Sequence, residues 1–127
     1  MLVDGLEHKS LQVKQNCSET LAFLLKDPNV RALINDEKII NSLVPAYRAN
    51  IDQLFFENVL LCLMHLSYEK KFKPPIYEQN LVETLLYHIV NSKSNEEAIY
   101  ATWTLINLSY NSDIKAWNYD KAAVPIA

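Results

Sequence analysis

Glycine is nearly missing from this 127-residue chain, with Gly5 the single example. That excludes glycine-rich phosphate loops of the P-loop or dinucleotide kind, so no nucleotide cofactor is expected. It also hands the tight turns between helices to Asn, Asp, Ser or Pro, of which Asn best tolerates left-handed backbone. Cysteine is scarce as well. Cys17 and Cys62 are too few for a disulfide framework, and both fall in apolar helical stretches where a thiol acts as a small hydrophobe. The opening, "MLVDGLEHKS", has no basic region followed by an apolar run, so it is not a secretory leader, and a reducing compartment is expected. No apolar run approaches the roughly 20 residues of a membrane span. Nor is there an excess of positive charge: 12 Lys and Arg against 15 Asp and Glu leave a net −3 with no basic run. Neither a membrane nor a nucleic acid is therefore expected as a partner.

What is there is apolar and periodic. Half of the residues are hydrophobic and 21% are charged, the balance of a globular chain. Three stretches stack: "CSETLAFLLKDPNV" from Cys17, "VLLCLMHLSYEKKF" from Val59 and "ATWTLINLSYNSDI" from Ala101, each starting 42 residues after the last. Leu21, Leu63 and Leu105 align, as do Leu24, Leu66 and Leu108. The register continues without a gap through Ile34 with Ile76 and through Leu43-Val44 with Leu85-Leu86. Chance periodicity matches one helix; it does not hold register over a whole unit.

Each unit divides into three helical pieces at helical rather than strand spacing. Long helices are predicted over Ser10–Leu25, Asp52–Tyr68 and Ser94–Tyr110, short ones over Pro28–Asn35, Pro74–Gln79 and Asp113–Trp117, and medium ones over Glu37–Arg48 and Asn80–Asn91. The breaks are "KDPN", "NDEK", "KPP" and "NSKSN". Pro28 suits a first helical turn, where its missing N–H does no harm. Ser94 followed by Glu97 has the form of a capping box. The aligned leucines should form a core continuous between stacked units, with Cys17, Val59 and Ala101 at close contacts.

A 42-residue unit of long, short and medium helices resembles the armadillo repeat. "ATWTLINLS" is similar to that family's third-helix pattern, small-x-Trp-x-Leu-x-Asn-Leu-small, as in importin-alpha and beta-catenin relatives. The resemblance covers the chain and implies an all-α fold: a right-handed alpha-alpha superhelix, an armadillo-like solenoid of about three repeats. It implies a non-enzymatic protein-binding module, located in cytoplasm, nucleus or both. The family's Gly before the second helix is replaced here by Asp36 or Asn80.

Residues four apart share a helix face. One stripe of the last long helix holds Tyr100, Trp103, Asn107 and Tyr110; moving back by the stride gives Asn58, Leu61, His65 and Tyr68, then Glu19 and Phe23. This stripe is rich in Asn and aromatics, a composition suited to contact with another chain. In importin-alpha-like proteins, the resemblance implies, the equivalent Asn clamps the backbone of an extended peptide, and Trp rings form slots for side-chain stems. The implied ligand is an extended, basic peptide along the concave face, as in a nuclear-import adaptor. A structural scaffold joining other proteins or copies of this chain is the competing reading, and plain packing of Trp103 on a neighbouring repeat is a third.

His8, His65 and His88 are too scattered to ligate a metal. Glu96 and Glu97 read as first-turn acids favoured by the helix dipole. No nucleophile–base pair is suggested, so no enzyme is expected. Both ends fall inside a medium helix by register, and neither carries a polar capping repeat. A fragment of a longer array, or copies packed end to end, is the expectation.

Overall fold

Ser10, Asp52 and Ser94, one stride apart, open three long helices by the same device. In the computed structural model, which describes residues 2–109, Ser10 Oγ accepts the Val13 N–H at 3.4 Å, an Asp52 carboxylate oxygen accepts the Phe55 N–H at 2.9 Å, and Ser94 Oγ accepts the Glu97 N–H at 3.0 Å. Each bond satisfies a donor that a first turn leaves unpaired, a cap worth about 1 kcal/mol.

The element order is α1 (Leu2–Gly5), α2 (Leu11–Leu25), α3 (Pro28–Leu33), α4 (Lys38–Ala49), α5 (Gln53–Leu66), a 3-10 turn (Lys70–Phe72), α6 (Lys73–Glu78), α7 (Val82–Val90) and α8 (Asn95–Ser109). The fold is all-helical, with no strand among the described residues. The long helices begin at Leu11, Gln53 and Asn95, 42 residues apart each time. Short and medium helices fall where the breaks put them, with ends displaced by a residue or two: α3 and α7 are shorter than expected, and α4 and α6 are shifted by one residue. The short helix expected at Asp113–Trp117, and Tyr110, lie outside the described residues.

The glycine-poor corners are turned by asparagine. Asn50 (φ 44°) ends α4 in the left-handed conformation, and Asn80 (φ 58°) precedes α7 in the same way. Both lack the Cβ-free latitude of glycine, but Asn pays a small cost there. Asp36 does not take a positive φ; its carboxylate instead accepts the Lys38 N–H at 2.9 Å. Gly5 is where a side chain would not fit: a Cβ there would stand 2.2 Å from Cys17 Sγ. The glycine lets α1 lie directly on α2.

The long helices pack side by side, α2 against α5 and α5 against α8, with α4 on α5 and α7 on α8. Hydrogen bonds that join neighbouring long helices or their caps span 37 to 44 residues, about one stride. The central helix α5 is buried on several sides at once. Phe55, Phe56, Val59, Leu60, Leu63 and Leu66 are all enclosed, each contributing about 1.5–3 kcal/mol of burial. Leu21 and Leu108 join them, and Leu105 packs partly buried against the same core. Leu24 departs from expectation. It is 38% exposed, because it faces away from α5 on a flank of α2 that no helix of the described residues covers.

Candidate peptide-binding face

The stripe predicted on the long helices separates into two classes of position. One class stays open. Glu19 on α2, Leu61 on α5 and Trp103 on α8 are equivalent by the stride; Glu19 is exposed, Leu61 half-buried against the core, and Trp103 46% exposed. Beside them run Asn58 and Tyr100, both half-buried, and Tyr68, exposed at the end of α5. Burial raises the Tyr100 phenol above its usual range, helped by the nearby Glu96 and Glu57 carboxylates. Those two acids, one on α8 and one on α5, place a negative field on this side of the junction.

The other class turns into the junctions between helices. Asn107 is only 5% exposed, and its amide donates to Ser67 Oγ at 2.9 Å, with the Met64 carbonyl at 3.5 Å. That donor is committed to the end of α5 rather than offered to a guest. His65, the equivalent residue of α5, is also buried and lies 6.4 Å from the Tyr68 ring. Burial, then the positive charges of Arg31 and Lys26, push its imidazole down to about 4. Phe23, at the same position on α2, is 74% exposed. So of the predicted residues, Glu19, Phe23, Leu61, Asn58, Tyr100, Trp103 and Tyr68 keep access to solvent, while His65 and Asn107 are inside. A shallow recess of about 360 Å³ on α2 is lined by Asn16, Glu19, Thr20 and Phe23.

One amide nitrogen beneath this face lacks a partner. Asn58 Nδ2 is buried and meets no acceptor among the described residues. A buried donor left unpaired costs about 1–3 kcal/mol.

Two charged groups are buried where the sequence did not place them. Arg31, on α3, is buried: its Nε donates to Glu69 at 2.9 Å, one terminal nitrogen donates to the Leu25 carbonyl at 2.8 Å, and its guanidinium lies 5.6 Å from the centre of the Tyr68 ring. It closes the end of α2 and props the aromatic at the end of α5. Glu97 is the second. Its carboxylate accepts from Gln53 Nε2 at 2.8 Å and from the Lys93 N–H at 3.4 Å, and lies 2.9 Å from His88 Nδ1. Burial works to raise its pKa, but these hydrogen bonds hold it below the ordinary carboxylate range. Gln53 also donates to Glu57 at 2.8 Å, and Ser94 Oγ donates to Glu57 at 2.9 Å. The capping box was the signal for Glu97; its burial was not legible. Gln15, at the position of Glu57, likewise donates to Asp52, the next cap, at 2.9 Å.

Rings, an aliphatic side chain and an amide thus lie along a row of adjacent long helices. No helix of the described residues is long and apolar enough to cross a membrane. Comparison with protein-family models, curated proteins and solved structures returns no match.

Proposed function

We propose that this chain is a stretch of armadillo-type solenoid, about three 42-residue repeats in a right-handed superhelix, and that its open face binds an extended peptide without catalysis. The observation that carries the reading is the row Glu19, Leu61, Trp103. Three equivalent side chains on three adjacent helices stay accessible while neighbouring positions such as Leu63, Ala101 and Leu108 are closed. Helices stack about 10 Å apart and an extended chain advances about 3.3 Å per residue, so each helix meets about three residues of a guest. Trp103 and Leu61 supply apolar slots. Asn58, half-buried beside Leu61, reaches a guest's carbonyl only by turning its enclosed amide outward, while Asn107 is committed to Ser67. Glu19, Glu57 and Glu96 favour a basic guest over an acidic one, which fits an adaptor that reads basic segments in the cytoplasm or nucleus.

The test is fluorescence anisotropy with labelled extended peptides of about nine residues, basic, neutral and acidic, against the wild-type chain and Trp103→Ala. A central aromatic contact is worth about 2 kcal/mol, so the variant should bind the basic peptide roughly 30-fold more weakly with its circular dichroism unchanged. Equal binding of all three peptides, or an unaltered affinity in Trp103→Ala, would overturn the proposal.

A further inference from the structure

Each junction between long helices in this chain is built from the same two sets of positions. On the receiving side, Cys62, His65 and Leu66 of α5 face α2, and the equivalent Thr104, Asn107 and Leu108 of α8 face α5; all six are buried. Cys62 Sγ stands 3.7 Å from the Ser18 carbonyl, and Asn107 bonds to Ser67, which fixes both orientations. On the covering side the positions run i, i+4, i+7: Ser18, Ala22 and Leu25 on α2, then Leu60, Met64 and Ser67 on α5, again all buried. Helical spacing puts such a triplet on one stripe.

Among the described residues, the first and last long helices each carry one of these sets uncovered. On α2 the receiving positions Thr20, Phe23 and Leu24 are exposed. On α8 the covering positions Thr102 and Ile106 are half-exposed and Ser109 is exposed. The set missing from one flank is present on the other.

We propose that α8 of a second copy docks on α2 of the first, repeating head to tail the junction that the chain makes twice within itself. This surface borders the peptide-binding face, since Thr20 and Phe23 share a recess with Glu19, but the proposal stands whether or not that face binds a peptide. It rests on the equivalence of the junction positions, which supply both the receiving shape and the covering stripe. Its chemistry differs from the internal junctions in one way. Where Gln15 and Glu57 bond the next cap, α8 has Ile99, and where His65 and Asn107 bring polar rings or amides, α2 has Phe23. The junction between copies is therefore more apolar than those within the chain, and should be insensitive to salt. A head-to-tail contact that advances along a stack does not close, so copies add without fixed number.

Sedimentation of the full chain tests this. The wild type should gain mass steadily with concentration, equally in low and high salt. Phe23→Glu, which loads the receiving side with charge, and Ser109→Glu, which loads the covering side, should each remain monomeric. Both residues are exposed, so each variant should keep its circular dichroism. Mixed, the two variants should form a one-to-one dimer and nothing larger, because each retains the sound face that the other needs. A wild type monomeric at every concentration, a variant that associates like the wild type, or a mixture that stays monomeric would overturn the proposal. Homodimers of one variant alone would mean a two-fold contact instead and would overturn it too.

Discussion

His65 offers the sharpest physical prediction, because its burial carries a sign. The imidazole lies inside the junction between α2 and α5, and burial is the largest influence on it; the charges of Arg31 and Lys26 act in the same direction. All three disfavour the protonated form, so the folded-state pKa drops from 6.5 to about 4. The unfolded chain keeps the ordinary value. As pH falls from 6.5 toward 4, the unfolded chain takes up a proton that the folded chain refuses, and stability must fall. Above 6.5 neither state binds the proton and the term is flat; below about 4 both bind it and the loss is complete. At about 1.4 kcal/mol per pH unit, the interval amounts to about 3 kcal/mol.

The assay is urea unfolding followed by circular dichroism at steps between pH 7.5 and 4.5, for the wild type and His65→Leu. The leucine variant keeps an apolar side chain of similar bulk and cannot titrate. Other groups titrate in both proteins, so the informative quantity is the difference between the two curves. The wild type should lose more stability than the variant on going from pH 7 to 4.5, by about 2–3 kcal/mol, with most of the divergence appearing below 6.5. Parallel curves would refute the reasoning, since they would mean that the imidazole reaches solvent and protonates in the folded chain.

Two further substitutions probe the contacts that hold the layers in register. Asn107→Ala removes the donor to Ser67 Oγ inside the α5–α8 junction, and should cost about 1–2 kcal/mol in urea unfolding; a neutral effect would show that the amide is not committed there. Gly5→Ala forces a Cβ to within 2.2 Å of Cys17 Sγ, and should cost about 1–3 kcal/mol. Cys17→Ala in the same chain should recover part of that loss and not all, because the Cys17 Cβ would still stand 2.9 Å away.

The stride was legible because it is written in apolar residues and caps. Ser10, Asp52 and Ser94 are short polar side chains ahead of periodic runs, and each opens a helix where its spacing implies. The corners were legible in part: with one glycine in the chain, left-handed backbone falls to asparagine, which was expected at Asn80 and is found at Asn50 as well, but not at Asp36. Which side of a long helix is covered was not legible. Leu24 aligns with Leu66 and Leu108, yet its exposure depends on whether a neighbouring helix lies beyond it, and alignment within one chain carries no such information. Arg31 and Glu97 were hidden for a different reason. Charged residues at helix ends ordinarily face water, and only the convergence of Leu25, Glu69 and Tyr68 on the one, and of Gln53, His88 and Lys93 on the other, makes their burial tolerable.

The same dependence on neighbours explains why Phe23, His65 and Asn107 occupy one position and have three fates. The position faces the end of the preceding long helix. Where that end is present, the residue must satisfy it: Asn107 does so with a hydrogen bond to Ser67, and His65 stays neutral beside Arg31 and Lys26. Where no long helix of the described residues precedes, the residue is Phe23, a large apolar side chain that gains nothing from water. Replacing Phe23 with Asn, the residue that serves α8, therefore separates two uses of the flank. If the flank is solvent surface, Phe23→Asn should leave self-association and stability unchanged. If it receives another helix, the substitution should weaken that contact while leaving the unfolding midpoint of the isolated chain within about 0.5 kcal/mol of the wild type, as expected for a change away from the chain's own core.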